Sequence, residues 1–202
     1  MTSDAELFDA WCDGDQRCGA ELFDRHFPAV SRFFRNKVTD DFEDLVQQTF
    51  IACVESRARF RRDSSFRTFL FAIANNVLRN YFRSRRRDRL ELTDVSAYDL
   101  QPGPATVIAN AREQKLLLEA LRRIPMEHQI ILELYYWERM TANDIAEILG
   151  ESAYTIRNRL RRGKQLLRRN MEELAADHDE LQSTWDGLER WAKHIADQLG
   201  DR

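Results

Sequence analysis

Apolar residues recur every three or four positions along most of this chain, which is the spacing that lines one face of an α-helix. The alternation that predicts a β-strand never continues for more than a few residues, and glycine and proline are few. The pattern therefore predicts an all-α protein. Up to residue 137, the predicted helices cover residues 4–11, 17–37, 40–55, 66–86, 110–124 and 126–137.

The helical pattern is interrupted between residues 88 and 109, where a Pro-Gly-Pro sequence excludes a continuous helix. We interpret 88–109 as a flexible linker between two helical domains, residues 1–87 and 110–171. Fully extended, a linker of this length could reach roughly 70 Å. The remaining segment, 172–202, alternates apolar spacings of three and four with acidic residues between them, which predicts an amphipathic helical extension at the C-terminus.

Residues 141–170 predict two helices joined by a tight turn. Ile145 and Leu149 place apolar groups on one face of the first helix, and Gly150 follows at its end, where a left-handed conformation costs least. The second helix turns Ile156 inward and presents a basic outer face. Such a pair is typical of a helix-turn-helix that lays its second helix in a DNA major groove. An ordinary helical hairpin with a solvated basic face is the alternative.

Charge is unevenly distributed along the chain, although the formal net charge is only −3. Residues 57–89 contain eleven arginines against two acids, and residues 152–170 contain seven Lys or Arg and no acid. Residues 171–202 have the opposite balance, with nine acids against three bases. Basic blocks carried on helices are typical of nucleic-acid binding, so DNA or RNA is the expected ligand.

The helix predicted over 66–86 has two different faces. One face is an apolar stripe that we interpret as core: Phe66, Leu70, Ile73, Val77 and Tyr81. The residues predicted to lie away from it are Thr68, Ala72, Asn76, Arg79, Asn80 and Arg83. Asn and Arg side chains can contact both base edges and phosphates, and nearby phenylalanines could stack on a single-stranded base. We expect most of these phenylalanines to belong to the core.

Cysteine and histidine usage argues against several kinds of site. The three cysteines lack CxxC spacing and the four histidines are scattered, so neither a zinc site nor a disulfide framework is expected. The sequence shows no signal-peptide pattern, and no apolar run approaches the roughly 20 residues that a membrane span requires. We therefore expect a cytoplasmic protein with no cofactor, no metal and no membrane insertion.

Asp40, Asp41, Glu43 and Asp44 lie together at a predicted helix start, and such a cluster could suggest a metal-dependent enzyme. Acids in a first helical turn also suit the positive end of the helix dipole. No partnering histidine or glycine-rich phosphate loop accompanies them. We interpret these acids as a helix start with a solvated face, and we expect no enzymatic activity.

Five segments occur in an order and at a spacing that resembles the bacterial sigma-70 family, in its small extracytoplasmic-function (ECF) branch. The likeness covers about residues 5–170. The segments are ELFDRHFPAVSRFF, DFEDLVQQTF, RFRRDSSFRTFLFAIANNVLRNYFRSRRR, RRIPMEHQIILELYYWERMTANDIAEILG and the recognition helix that follows. The resemblance implies a region 2 helical bundle and a region 4 helix-turn-helix. These would bind core RNA polymerase through its β′ clamp and β flap and read the −10 and −35 promoter elements.

The resemblance also implies roles for individual residues. The polymerase β′ clamp would be contacted by Asp41, Asp44, Gln47 and Gln48, although many relatives carry Glu at the position of Gln48. The −10 element would be held by a loop that captures a flipped base and by the helix after it, through Arg61, Arg62, Asp63, Ser64, Ser65, Asn76, Arg79, Asn80 and Arg83. The −35 readers would be Ser152, Tyr154, Thr155, Arg157, Asn158, Arg161 and Arg162. Glu151 and Tyr154 replace a usual apolar residue and a usual glycine, so an unusual −35 sequence is expected.

Three questions stay open at this stage. A two-domain transcription regulator, whose first half senses a signal and whose helix-turn-helix binds an operator, would not need polymerase at all. The acidic extension either regulates, by covering a polymerase- or DNA-binding surface or by docking a partner, or it completes the core of region 4. Relatives are often regulated by an anti-sigma factor, and the sequence does not show whether this chain has such a partner or another regulator.

Overall fold

The computed structural model describes residues 2–38, 40–60, 63–85 and 112–188, and within these ranges every regular element is helical. The all-α prediction is confirmed. The predicted linker and residues 189–202 lie outside the described residues. The helices are α1 Asp4–Cys12, α2 Gln16–Arg35, α3 Phe42–Ser56, a 3₁₀ turn Arg57–Arg59, α4 Phe66–Arg85, α5 Arg112–Arg122, α6 Met126–Tyr136, α7 Ala142–Leu149, α8 Ala153–Leu174 and α9 His178–Asp186.

Local sequence signals set several helix ends. Ser3 and Thr141 begin α1 and α7, each with a reciprocal hydrogen bond to an acid three residues later, which satisfies backbone N–H groups that have no helical partner. Ser152 begins α8, and its hydroxyl accepts a hydrogen bond from the N–H of Thr155. Gly150 ends α7 at φ +69°, the left-handed conformation expected from the sequence. The helix-turn-helix prediction is therefore matched in its turn as well as in its helices.

The first half of the chain, α1 to α4, is built around aromatic side chains. Trp11 of α1 meets the edge of Phe23 with 5.3 Å between ring centroids, and Phe8 meets the edge of Phe60 at 5.0 Å. Helix α1 can approach α2 closely because Gly19 has no side chain: a Cβ there would lie 2.5 Å from Cδ1 of Trp11. The absence of a side chain at this position thus determines how α1 packs on the bundle.

The register of α4 differs from the prediction. Its fully buried residues include Phe71, Ala74 and Leu78, whereas Ile73, Val77 and Tyr81 are only half-buried. Thr68, which was expected on the outer face, is buried, and its hydroxyl contacts that of Ser65 at 2.8 Å. The prediction is confirmed for Phe66 and Leu70, which are buried, and is wrong for Thr68. Helix α4 is covered on more than one side, since α3 packs against it and so does α7 from the second half.

The second half, α5 to α9, packs around α8, which contacts α5, α6 and α7. Helix α9 lies against α5 and α8 and buries Leu181 and Thr184. The guanidinium of Arg168 lies 5.3 Å from the ring centroid of Trp185, beside this contact. The described part of the acidic extension therefore contributes to the core of this half, which is the second of the two expectations for it. The rest of its apolar seam, including Trp191, Ile195 and Leu199, lies outside the described residues.

The two halves also contact one another. Helix α4 packs against α7, and buried ion pairs join α2 to the end of α6. Lys37 pairs with Glu133, and Arg32 pairs with Glu138 at 2.8 Å. Nothing in the periodicity of the sequence predicted this junction.

Candidate polymerase- and promoter-binding surfaces

The outer face of α3 carries the predicted polymerase contacts. Asp44, Gln47 and Gln48 are exposed, and their spacing of three and four residues puts them on one face of the helix. Asp41 differs from them, since it is half-buried just before the helix, and its carboxylate accepts a hydrogen bond from the Tyr81 hydroxyl at 3.0 Å. Asp41 therefore ties the start of α3 to α4, and the other three side chains point to solvent.

An apolar strip, which was not predicted from the sequence, continues this polar face. Ile51 lies seven residues after Asp44 on the same side of α3, and about half of its surface is exposed. Phe27 of α2 is equally exposed, and its ring stacks on Phe50 with 6.1 Å between centroids. Exposed apolar groups beside polar ones are typical of a protein-binding surface. The helical spacing of Asp44, Gln48 and Ile51 was the signal that could have revealed it.

The outer face of α4 presents the predicted −10 residues. Asn76, Arg79, Asn80 and Arg83 are all exposed, and the whole of Phe66–Arg85 contains no acid. Two amides and two guanidinium groups on one face offer donors for base edges and for phosphates. The contact with α7 leaves these four side chains exposed.

The loop before α4 is anchored close to both of its ends. Of its predicted DNA-binding residues, Arg61 and Arg62 lie outside the described residues, Asp63 is exposed and Ser64 is half-buried. Ser65 is exposed, but its hydroxyl accepts a hydrogen bond from the N–H of Thr68 at 3.0 Å, so it also begins α4. At the other end, Phe60 stacks on Phe69 with 4.7 Å between centroids. These two half-buried rings pack on each other and against the core, as expected for most of the phenylalanines.

The first turns of α8 present the predicted −35 residues. Tyr154 has 73% of its surface exposed. The other exposed members of the set are Ser152, Arg157, Asn158, Arg161 and Arg162. Thr155 is half-buried, and its hydroxyl contacts that of Ser152 at 2.8 Å. These two residues therefore both belong to the N-terminal cap of the helix. The set therefore forms one polar and basic surface at the N-terminal end of the recognition helix.

Arg159 lies within the same basic run but has a different role. Its guanidinium pairs with Glu151 at 2.7 Å and with Glu127 at 3.1 Å, which ties α8 to the turn before it and to α6. Burial lowers the pKa of His128, and the neutral ring can donate from Nδ1 to the carbonyl oxygen of Arg159 at 3.1 Å. These contacts hold the recognition helix in a defined orientation. No local pattern in the sequence indicates the contacts with Glu127 and His128, which lie more than 30 positions before Arg159.

A groove of about 570 Å³ runs beside the recognition helix. Its walls include Tyr135 of α6 and the basic residues Arg157, Arg161 and Lys164 of α8. The Lys164 ammonium lies 5.1 Å from the ring centroid of Tyr136 and 5.7 Å from that of Tyr135, which limits the directions it can take. A basic groove of this kind suits the phosphate backbone of DNA. Tyr135 was not predicted from the sequence to line a DNA-binding groove, because it lies on a helix whose other residues are largely buried.

None of the described helices is both long and apolar enough to cross a membrane. In the same ranges, no three or more His, Cys, Asp or Glu side chains are grouped so that they could hold a metal ion. The cluster around Asp44 includes Asp41, which is already bonded to Tyr81.

Comparison with known proteins shows the family to which this chain belongs. Residues 22–88 match the model of sigma-70 region 2, and residues 114–167 match that of sigma-70 region 4. The RNA polymerase sigma factor CarQ of Myxococcus xanthus is 31% identical over 170 residues, which are 80% of this chain and 94% of CarQ. The probable RNA polymerase sigma factor RfaY of Xanthomonas campestris pv. campestris is 30% identical over 134 residues, but the match spans only 34% of RfaY.

Solved structures agree in fold. CnrH, solved in complex with the cytosolic domain of CnrY, has a TM-score of 0.63 at 23% identity, with 85% of this chain and 99% of that chain covered. The sigma factor RpoE of Bartonella quintana, solved in complex with the anti-sigma factor NepR, has a TM-score of 0.58 at 21% identity, with 72% of this chain and 91% of that chain covered. The family models and CarQ confirm the resemblance drawn from the sequence. The chain belongs to the sigma-70 family of RNA polymerase sigma factors, in its ECF branch, which recognises promoters and initiates transcription together with core polymerase.

Proposed function

We propose that this chain carries core RNA polymerase to its promoters through three surfaces. The face of α3 formed by Asp44, Gln47 and Gln48, extended by Ile51, binds the β′ clamp. The outer face of α4 and the loop before it hold the −10 element, and the start of α8 reads the −35 element. The observation that carries this proposal is that all three helix faces are exposed in one chain, although their other sides are buried in helical cores.

The proposed domain division follows from these surfaces. Region 2 lies within residues 1–87, region 4 within residues 110–171, and residues 172–202 form the extension. In the described part of region 2, the DNA-binding residues belong to α4 and the loop before it, and in region 4 they belong to α8. The β flap of polymerase is the second contact that we expect for region 4.

Strand opening follows from preferential binding. A sigma factor does not consume ATP, so it must bind the opened strand more tightly than the closed duplex. Extruding a base costs a few kcal/mol, which a fitted pocket and stacking can offset. In this proposal the loop between Phe60 and Ser65 holds such a base, and the exposed Arg79 and Arg83 bind the adjoining phosphates. The phosphate contacts supply affinity that does not depend on sequence and that decreases with salt.

The chemistry of RNA synthesis belongs to the polymerase in this proposal. The chain is not itself an enzyme, needs no cofactor and acts in the cytoplasm, where polymerase and promoter DNA are found. An anti-sigma protein is a further proposed partner, supported by the fold that this chain shares with RpoE of Bartonella quintana, which was solved bound to the anti-sigma factor NepR.

Run-off transcription with purified core enzyme tests the proposal, using a DNA fragment from upstream of the chain's own gene. We expect a defined transcript only when both the core enzyme and this chain are present. Arg157→Ala should reduce that transcript. Arg169→Ala is a matched control, because Arg169 is also an exposed arginine of α8 and pairs with Glu173 near the end of the helix. Specific binding to the fragment without polymerase, together with no effect on transcription, would instead favour a conventional operator-binding regulator.

A further inference from the structure

One side chain of α1 contacts both ends of the loop that precedes α4. This loop, which we call the −10 loop, lies between Phe60 and Phe66. The ring of Phe8 meets the edge of Phe60 with 5.0 Å between centroids, and its centroid lies 5.6 Å from that of Phe66. Phe8 is only 2% exposed, so both contacts are made inside the protein. Helix α1 precedes residues 22–88, which match sigma-70 region 2, so these contacts come from outside the matched region.

Phe69 joins these three rings into one cluster. It stacks on Phe60 at 4.7 Å, and its centroid lies 6.5 Å from that of Phe66. We call Phe8, Phe60, Phe66 and Phe69 the loop-base cluster. Its members come from α1, from the residue before the −10 loop and from the first turn of α4. A loop whose two ends are fixed by packed rings has fewer conformations to lose when a ligand orders it.

A buried histidine holds α1 beside the same cluster. His26 is 6% exposed, and its ring centroid lies 5.4 Å from that of Phe66. Its Nε2 lies 2.7 Å from a carboxylate oxygen of Asp4, in the first turn of α1. Burial lowers the pKa of His26, so the ring is neutral at pH 7 and can donate from Nε2 to Asp4. Arg25 donates to the other oxygen of Asp4 at 2.6 Å, so two neighbouring residues of α2 fix the start of α1.

Burial alone does not distinguish this cluster from the rest of the core. Phe34 is fully buried as well, and its ring meets the edge of Phe33 with 5.3 Å between centroids. Both of those residues belong to α2, whereas the loop-base cluster encloses the two ends of a loop. Asp63 and Ser64 lie within three residues of Phe66, so the position of that ring limits where their side chains can reach.

We propose that Phe8 and His26 are positioning residues for the −10 loop. Phe8 holds Phe60 and Phe66 against α1, and His26 fixes the start of α1 through Asp4. The loop is thereby arranged before single-stranded −10 DNA arrives, so less of the binding energy is used to order it. The proposal rests on the function proposed above, because it assumes that this loop binds the opened −10 strand. It adds α1 to the parts of the chain that determine how firmly an opened promoter is held.

Hydrogen exchange of the full-length chain, followed by NMR, tests the positioning role without any DNA. The amides of Thr68 and Phe69 report on it, because both donate to Ser65 at the end of the −10 loop. They should exchange about tenfold faster in Phe8→Leu, which removes two ring contacts while keeping the site apolar. Phe34→Leu is the matched control, since it also replaces a buried phenylalanine of the first half. Amides in the first turn of a helix exchange by local opening, so a general loss of stability should not accelerate them.

A second variant, His26→Gln, reaches the same loop by another route, and circular dichroism shows which variants are folded. Glutamine retains an N–H donor for Asp4 but lacks the ring beside Phe66, so the same two amides should exchange about threefold faster. Wild-type exchange in a folded Phe8→Leu or His26→Gln chain would overturn the proposal. Equal acceleration in Phe8→Leu and Phe34→Leu would overturn it as well, because the effect would then be one of general stability.

Binding of a −10 oligonucleotide relates the positioning role to function. The probe is a labelled single strand with the non-template −10 sequence of the run-off promoter, titrated with holoenzyme that contains each variant. Phe8→Leu should bind this strand about threefold more weakly, since only chains with an ordered loop can bind it, and Phe34→Leu should bind it like wild type. Both should bind a duplex containing only the −35 element with wild-type affinity. Wild-type strand affinity in Phe8→Leu would refute the positioning role, whereas a wild-type holoenzyme that binds no −10 strand would refute the proposed sigma function instead.

Discussion

Replacing Gly19 with alanine should loosen the attachment of α1 to α2. The new Cβ would lie 2.5, 2.6 and 2.9 Å from three ring atoms of Trp11, distances that real Cβ atoms essentially never show. The indole cannot easily move aside, because it is 2% exposed and lies against the edges of Phe8 and Phe23. The Arg57 guanidinium lies 5.2 Å from the centre of the same ring. The helix, rather than the ring, must therefore shift.

The magnitude follows from two opposing terms. Overpacking a well-filled core costs about 1–3 kcal/mol, and a clash with three rigid ring atoms belongs at the upper end. Alanine is a better helix former than glycine by about 1 kcal/mol. The expected net loss in the free energy of unfolding is about 2 kcal/mol. Gly163→Ala is the matched control, because its Cβ would meet Leu132 at 3.3 Å and His128 at 3.4 Å, and it should be neutral or slightly stabilising.

Urea unfolding followed by circular dichroism measures both variants. The two glycines lie in different halves of the chain. The unfolding midpoint of the first half should therefore move to a lower urea concentration for Gly19→Ala only. Promoter opening should also weaken, since Phe8 of the displaced α1 supports Phe60 at the start of the −10 loop. If Gly19→Ala were as stable as wild type, the close approach of Trp11 would not be a constraint on this fold.

Asp44→Ala should weaken binding to core polymerase without changing the free energy of unfolding. Glu43 is an exposed neighbour in the same turn, and Glu43→Ala should affect binding less. Co-sedimentation with core enzyme measures the binding of both variants. Asn158→Ala should relax the choice of −35 sequence at a cost of about 1–3 kcal/mol for a lost base contact, measured by transcription from a set of substituted promoters. Burial raises the pKa of the Cys53 thiol to about 12, so at pH 8 iodoacetamide should modify the exposed Cys12 and spare Cys53 until the chain is unfolded. Equal labelling of the two cysteines in the folded chain would contradict the buried position of Cys53.

Features that depend on neighbouring residues were predictable from the sequence. The left-handed Gly150 and the helices on either side of it follow from local periodicity and turn chemistry. The exposure of Asn76 on α4 and of Arg157 on α8 also follows from helical spacing and charge. Their contacts with promoter DNA stay predictions, since exposure alone does not establish a binding role.

Features that depend on distant parts of the chain were not predictable. The stripe on α4 was only partly predicted, because α4 packs against both α3 and α7, and Thr68, which periodicity assigned to the surface, is buried. The partners of Glu133 and Glu138 in the first half lie 71 to 106 positions away from them. A single sequence has no local pattern that pairs residues over such separations. The expectation of two tethered domains therefore did not anticipate that the domains pack on each other.

The tie between Arg159, Glu127 and Glu151 matters for anyone who wishes to reprogram this protein. Grafting the recognition helix from a relative would separate an arginine from two acids that lie outside the graft, and the imported helix could then tilt in the groove. A working chimaera should carry the turn residue and the α6 glutamate along with the helix. Promoter preference in this chain is thus a property of the recognition helix together with the α6 and turn residues that orient it.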